Sequence, residues 1–402
     1  MAREAGPATR KGALAGLSWD ERREAVAAHW KASDKEDDLA SREAAMQKLC
    51  SASIPPKSLL DAHLRLKKQM LMDLARDHRD KIKGRTDRMS KAQLARALAA
   101  PEKPLAAYLL EYETLFGERD LSDLRRLVEQ GGTVPVSFEE GSLFIPLPFI
   151  PYIQIHRMGD GYVAWLAPEL AERLKDTDWE AQLARARAAD DAVGLVEKMV
   201  ELRGTVERRD ALSELSATFD EDLVNDALDV RMDEGVTSFA EVGRNGGADA
   251  FFVHSEIVET ARSLGDRPDL QERLLSDVYV EQKKYVPRDV CDLSGHDTVL
   301  DLVETYGSYR RLIAYLDAHV PQGADEYEFA DELATEVVLI AQGASSVYEM
   351  QKFIRDISEP LFFGTELEEV TGLMTRLAED VPRWTLNGWS TSEARAVFGH
   401  VT

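Results

Sequence analysis

Apolar residues recur along most of this chain at three- and four-residue spacing, the period of a helix buried on one side. In Met70–Ala100, MLMDLARDHRDKIKGRTDRMSKAQLARALAA, Leu71, Leu74 and Ala75 form one such face, and Leu94, Ala95 and Leu98 form another. The turn between them is basic; Gly84 is free to take a positive φ, and Ser90 stands at the N-cap position of the second helix. A lead helix is predicted from about Lys57 to His78. Upstream, Ser18 to about Leu49 reads as helical, with Ser18 and Glu21 spaced as a capping box. Residues 1–16 have no period and read as a loose arm. Pro55 and Pro56, and later AAPEKP at 99–104, interrupt the pattern.

Past this region the period changes twice. LAAYLLEYETLF (105–116) and LSDLRRLVEQGG (121–132) read as helices, followed by alternating strand-like runs through YVAWLA. MGDG at 158–161 is predicted to be the hairpin turn, with Asp160-Gly161 at its centre. Three helices over 190–235 are followed by a hairpin over 236–258 whose turn is Asn245-Gly246-Gly247. The two stretches together read as tandem winged-helix-like units, the first degenerate. Residues 295–402 read as all-helical, with Gly307, Gly343 and Gly364 as C-caps or turns.

The expected fold is therefore mainly α and multi-domain. It comprises an N-terminal arm and helix (1–56), a basic helical module (57–103), a degenerate winged-helix-like unit (104–189) and a second such unit (190–265). A connector (266–294) and an all-helical C-terminal domain (295–402) complete it. At 402 residues the chain is long enough for several cores. No run of eighteen apolar residues and no N-terminal apolar stretch appears, so the expectation is a cytoplasmic protein without membrane contact. Cys50 and Cys291 are too few for a disulfide framework or zinc site.

Charge sharpens the picture. The chain carries a formal net charge of −24, yet His63 to Lys103 holds 12 Lys or Arg against 5 Asp or Glu, a local net of +7. Broad coating by nucleic acid is thereby disfavoured, and binding through the one basic stretch is favoured. Lys81, Lys83, Arg85, Arg88 and Lys91 are the candidate nucleic-acid-binding residues. The alternative for such a run is a solvated helical hairpin. The helix at 220–235 has the opposite character: Asp220, Glu221, Asp222, Asp226, Asp229, Asp233 and Glu234 stand against Arg231 alone. A protein-contacting or structural role fits it better than DNA contact, with Arg244 in the following hairpin the exception.

LMDLARDHRDKIKGRTDRMSKAQLARAL resembles the small helical domain at the N-terminus of the transcription termination factor Rho, a relative of the SAP fold. Leu74, Ala75, Ile82, Gly84, Met89, Ser90, Lys91, Leu94 and Leu98 carry the likeness, whereas Arg79 and Asp80 lie where that motif has small residues. The resemblance spans only residues 70–100 and implies DNA or RNA contact linked to transcription termination. The tail PRWTLNGWSTSE is similar to the PRWxLNGxSPxE ending of bacterial proteins with SEC-C-type modules, with Thr391 in place of Pro. No chemistry attaches to that tail, and Trp384 and Trp389 are expected to pack helices.

Catalytic patterns are not evident. There is no G-x-x-x-x-G-K-[ST], so the likeness does not extend to Rho's motor, and no G-x-G-x-x-G, H-E-x-x-H or G-x-S-x-G. The eight histidines are dispersed; His63 and His78, fifteen apart, would share a helical side were that helix continuous, and they are expected to be ordinary solvated histidines rather than a metal pair. The reading is a non-enzymatic nucleic-acid-associated protein without cofactor or metal, its acidic modules contacting protein partners. Two alternatives remain: a protein-interaction scaffold with no nucleic-acid role, and an enzyme housed in the helical C-terminal region.

Overall fold

The computed structural model describes residues 9–29, 54–77, 86–99, 113–136, 152–159, 161–233, 237–242, 250–263, 278, 281–293, 295–296 and 298–399. In chain order, β1 (Thr9–Arg10) and α1 (19–29) precede α2 (Leu59–Arg65), α3 (Lys68–Asp77) and α4 (Lys91–Ala99). Next come α5 (Glu113–Glu129), β2 (Thr133–Val136), β3 (Ile153–Met158), β4 (Gly161–Leu166) and α6 (Pro168–Leu174). They are followed by α7 (Trp179–Arg203), β5 (Thr205–Glu207), α8 (Arg208–Leu215), α9 (Glu221–Asp233), β6 (Phe239–Val242), β7 (Phe251–His254) and α10 (Ser255–Ser263). The last elements are α11 (Val299–Val303), α12 (Gly307–Ala318), β8 (Val320–Pro321), α13 (Phe329–Gly343), α14 (Val347–Ser358), α15 (Thr365–Asp380) and α16 (Thr391–Phe398). The chain is mainly helical and forms two compact units, one of residues 34–192 and 222–231, the other of residues 1–33, 193–221 and 232–402.

In the first unit, α2, α3 and α4 enclose a small core of Leu71, Ala75, Leu94, Ala95 and Leu98. The lead helix predicted over 57–78 is two helices, because Leu66 takes an extended conformation (ψ 157°) between them. The break has a packing reason: Leu60 and Leu66 on one side and Leu71 and Ala75 on the other all reach the α4 face. The rest of this unit buries Leu121, Leu124, Leu127, Val134, Ile153, Ile155, Trp165 and Leu170 around a three-stranded antiparallel sheet of order β2-β4-β3. Met158 pairs with Gly161, so Gly161 opens β4, one residue earlier than predicted, and Asp160 lies outside the described residues. The two helices expected over 105–132 correspond, where described, to α5, which is interrupted at Gly117. Residues 105–112 lie outside the described residues.

The second unit holds a sheet of order β5-β7-β6 and a bundle of α12 to α15. Leu312, Leu316, Leu333, Val337, Met350, Ile354, Met374 and Leu377 fill the bundle core at helical spacing. Two expectations are corrected here. The region from 295 is not purely helical, because β8 pairs antiparallel with β1. Residues 9–16 are consequently not a loose arm: the Gly12 N–H donates to the Asp317 carbonyl at 2.9 Å, and Leu14 is buried. The Ser18–Glu21 capping box forms, with the Ser18 N–H 2.9 Å from Glu21 Oε2. It starts α1 so that Arg22 is buried against two carboxylates, its Nε 2.7 Å from Asp317 and its Nη2 2.9 Å from Asp331. Gly307 and Gly364 sit at helix starts, whereas Gly343 ends α13.

The two sheets share a local plan. Val128-Glu129-Gln130-Gly131-Gly132-Thr133-Val134 and Val200-Glu201-Leu202-Arg203-Gly204-Thr205-Val206 both read V-E-x-x-G-T-V, and each joins a helix to the first strand of its sheet. Gly132 (φ 88°) and Gly204 (φ 74°) occupy the left-handed region that favours glycine. Their carbonyls accept from the N–H of the third strand's last residue, Leu166 at 2.7 Å and His254 at 2.9 Å. The register matches as well, Thr133 opposite Trp165 and Thr205 opposite Val253. The turn predicted at Asn245–Gly247, and Arg244, lie outside the described residues.

A methyl group on Gly204 would lie 2.5 Å from Trp384 Cγ. Gly204→Ala combines left-handed strain of about 1–2 kcal/mol with overpacking of about 1–3 kcal/mol. Urea unfolding of the full chain should register a loss of about 3 kcal/mol; a loss within experimental error would show that Trp384 does not hold this position closed.

Candidate nucleic-acid interface

The basic module is built from short helices whose caps are local. Ser58 Oγ accepts from the Asp61 N–H at 3.1 Å and starts α2. Ser90 and Gln93 cap α4 reciprocally: Ser90 N–H to Gln93 Oε1 at 2.8 Å, and Gln93 N–H to Ser90 Oγ at 3.3 Å. This places Lys91 at the first helical position and turns Leu94, Ala95 and Leu98 inward. A 3-10 turn, Thr86–Arg88, leads in.

Two of the module's acids are engaged locally. The Lys57 N–H, then Arg65, hold the Asp61 carboxyl below its ordinary range. Asp73 accepts from Gln69 at 3.1 Å and pairs with Arg76. Among the described residues Lys67, Lys68, Arg88, Lys91 and Arg96 are exposed cations without an ion-pair partner. Neither α3 nor α4 has an acidic residue in its first turn. Lysines therefore sit at two helix N-termini, where the macrodipole already presents positive potential and ordinarily favours acids. The arrangement disfavours the free module slightly and favours an incoming polyanion.

Of the candidate residues, Arg88 and Lys91 fall on this exposed basic face; Lys81, Lys83 and Arg85 lie outside the described residues, as do Ile82 and Gly84. Lys67, Lys68 and Arg96 were not singled out by spacing, although they belong to the same basic island. Only the break at Leu66 shows that Lys67 and Lys68 begin a helix. His63 is fully buried, its Nδ1 2.8 Å from the Leu59 carbonyl, and packs edge-on to Tyr152. It is part of the hydrophobic core, and His78 lies outside the described residues.

In the second unit Glu201 joins several elements. Its carboxylate meets His254 Nε2 at 2.9 Å and accepts from the Val299 N–H at 3.2 Å. Its carbonyl accepts from Trp384 Nε1 at 3.1 Å and Gln342 Nε2 at 3.2 Å. His254 Nδ1 accepts from the Glu256 N–H at 3.3 Å, which assigns the ring proton to Nε2. Both imidazole nitrogens are thus engaged in hydrogen bonds within this frame. A shallow cleft of about 330 Å³ lies among Tyr315, Glu368, Glu369, Leu373 and Arg376. Burial, then Glu369 and Glu366, push the Tyr315 hydroxyl up to about 12, which keeps it neutral and a donor at physiological pH. Among the described residues no group of three or more His, Cys, Asp or Glu is placed to hold a metal ion, and no helix is long and apolar enough to cross a membrane.

No family model, curated protein sequence or solved structure matches the chain.

Removing the α4 cap should loosen the basic face without touching its charges. Ser90→Ala is expected to cost about 1 kcal/mol locally. That corresponds to roughly fivefold faster amide exchange at Leu94 and Ala95, measured by hydrogen exchange on the full chain. Unchanged exchange would mean that packing on α2 and α3 alone sets the helix start.

Proposed function

We propose that the protein is a non-enzymatic, nucleic-acid-associated protein that contacts DNA or RNA through the basic module of residues 57–103. One observation carries the reading: unpaired lysines cluster at the N-termini of α3 and α4, whose first turns hold no acid, within a chain of net charge −24. Phosphate contact relieves that arrangement, and the acidic remainder restricts contact to this face. Lys81, Lys83, Arg85, Arg88 and Lys91, with Lys67, Lys68 and Arg96 added, are the proposed contact residues. The likeness of residues 70–100 to the Rho N-terminal domain supports the same reading, and suggests a link to transcription.

The tandem units are read as winged-helix-like. Chain order in the second, α7-β5-α8-α9-β6-β7, and its strand order β5-β7-β6 support this, as does the shared Gly-Thr-Val entry to both sheets. Against compactness of that unit, residues 222–231 of α9 group with the other part of the chain. A DNA-reading role for α9 is not proposed, because its exposed face carries Glu221, Asp222, Asp226 and Asp229. That acidic face favours a second reading, in which α9 engages a protein partner and nucleic acid plays no part.

The test compares the full chain with a K67A/K68A/R88A/K91A/R96A variant, on single- and double-stranded DNA and RNA at low salt. Binding should fall log-linearly with salt, by roughly 0.9 per phosphate contact on duplex. The variant should bind more weakly and lose about one unit of slope per contact removed. Absence of binding by the parent at low salt would sink the proposal. Protein partners that survive nuclease treatment would then favour the second reading.

A further inference from the structure

Within the first unit, α5 does not run straight. Gly117 adopts φ 61° and ψ 175°, and the helix restarts at Glu118. A side chain at 117 is replaced by the carboxylate of Asp190 from α7, whose Oδ1 and Oδ2 lie 2.8 and 3.0 Å from where a Cβ would stand. That carboxylate caps the restart: Asp190 Oδ2 accepts from the Glu118 N–H at 2.8 Å. Its other oxygen pairs with Arg231 of α9. Glu118 reaches back to α7, accepting from Arg187 Nε at 2.9 Å. The junction is thus a glycine hinge held by a cap borrowed from another helix.

Asp120 is the third residue of the restarted helix, half-buried, and no described group donates a hydrogen bond to it. The charged groups facing it are Asp123 and Arg119 of α5, Asp190 of α7 and Arg231 of α9. Acids at a helix start normally gain from the macrodipole. Here burial, and next the like charge of Asp123, prevail and push the carboxyl up to about 6. The ordinary unfolded value is about 3.9. Between the two, the folded junction holds a proton that the unfolded chain has released. The closed arrangement therefore strengthens as pH falls through about 6 and weakens as pH rises through it. Among the described residues, Asp123 and Asp190 add like charge beside Asp120, and Arg119 and Arg231 add opposing charge.

We propose that the Gly117 junction is a pH-responsive hinge, in which protonation of Asp120 tightens, and its ionisation loosens, the cap that Asp190 places on residues 118–129 of α5. The device acts through the cost of burying a charged Asp120, then the like charge of Asp123 and, to a lesser degree, of the capping Asp190, with the glycine absorbing the change in backbone direction. It requires no ligand, and its working range lies between about 4 and about 6.

Two measurements on the full chain test it. Side-chain carboxyl NMR of aspartate-labelled protein should give a midpoint of about 6 for Asp120, identified by its absence in D120N. Hydrogen exchange, corrected for intrinsic rates, should show several-fold greater protection of the peptide spanning 118–124 at pH 5 than at pH 7.5. D120N should stay protected at both, and D190N should lose protection at both. An Asp120 midpoint near the ordinary carboxylate range would overturn the proposal, as would a D120N profile that keeps the parent's pH dependence.

Discussion

The close approach of Trp384 to Gly204 is the constraint on which the second unit depends. The indole occupies the volume a Cβ would need, and its Nε1 donates to the Glu201 carbonyl one turn earlier. Glu201 in turn holds the end of β7 through His254 and the start of α11 through the Val299 N–H. A single helix terminus therefore aligns a sheet, the bundle and the C-terminal turn. The ordinary problem of a helix end, orphan carbonyls without partners, is solved here by side chains distant in sequence. The left-handed glycine lets the chain leave α7 and enter β5 without obstructing the indole.

Buried cations reinforce this frame in two chemically distinct ways. Arg22 is neutralised by Asp317 and Asp331, so its burial fastens α1 and β1 to the bundle through charge-assisted hydrogen bonds. Arg383 is fully buried without a carboxylate; its Nη2 donates to the Ala344 carbonyl at 2.8 Å and its Nη1 to Thr391 Oγ1 at 3.2 Å. Desolvation lowers its pKa to about 10, which leaves it charged at neutral pH and dependent on those neutral acceptors. The tail PRWTLNGWSTSE is thus a structural clasp. Its Asn387 donates to the Tyr285 carbonyl, and Trp389 Nε1 to that of Val286.

Against this acidic background the basic module has a clear physical logic. Its core is small and apolar, and Asp61 and Asp73 pair with neighbouring cations. Lys67, Lys68 and Lys91 stand at positive helix ends. On the proposed reading, the acidic background concentrates any attraction for phosphate on a few side chains, which would make association local and strongly salt-dependent. The nucleic-acid proposal and the pH-responsive hinge rest on different residues of the first unit, so either can fail without the other.

The sequence by itself determined the helical character, the basic island, the Ser18–Glu21 capping box, the N-cap at Ser90, and the inward faces of α3 and α4. These are set by local spacing and by hydrogen bonds spanning three residues, which a linear pattern encodes. Arg88 and Lys91 were legible as exposed cations for the same reason. Tertiary structure decided the rest. The break at Leu66, which gives Lys67 and Lys68 a helix start, follows from packing on α4 and leaves no mark in the periodicity. Pairing of Thr9–Arg10 with Val320–Pro321 joins segments some three hundred residues apart, and no local pattern in so short a strand announces its partner. Asp120 and Asp190 look like two more acids among many in the chain. Only their convergence at Gly117 distinguishes them, because desolvation and like-charge repulsion depend on distance in space rather than along the sequence.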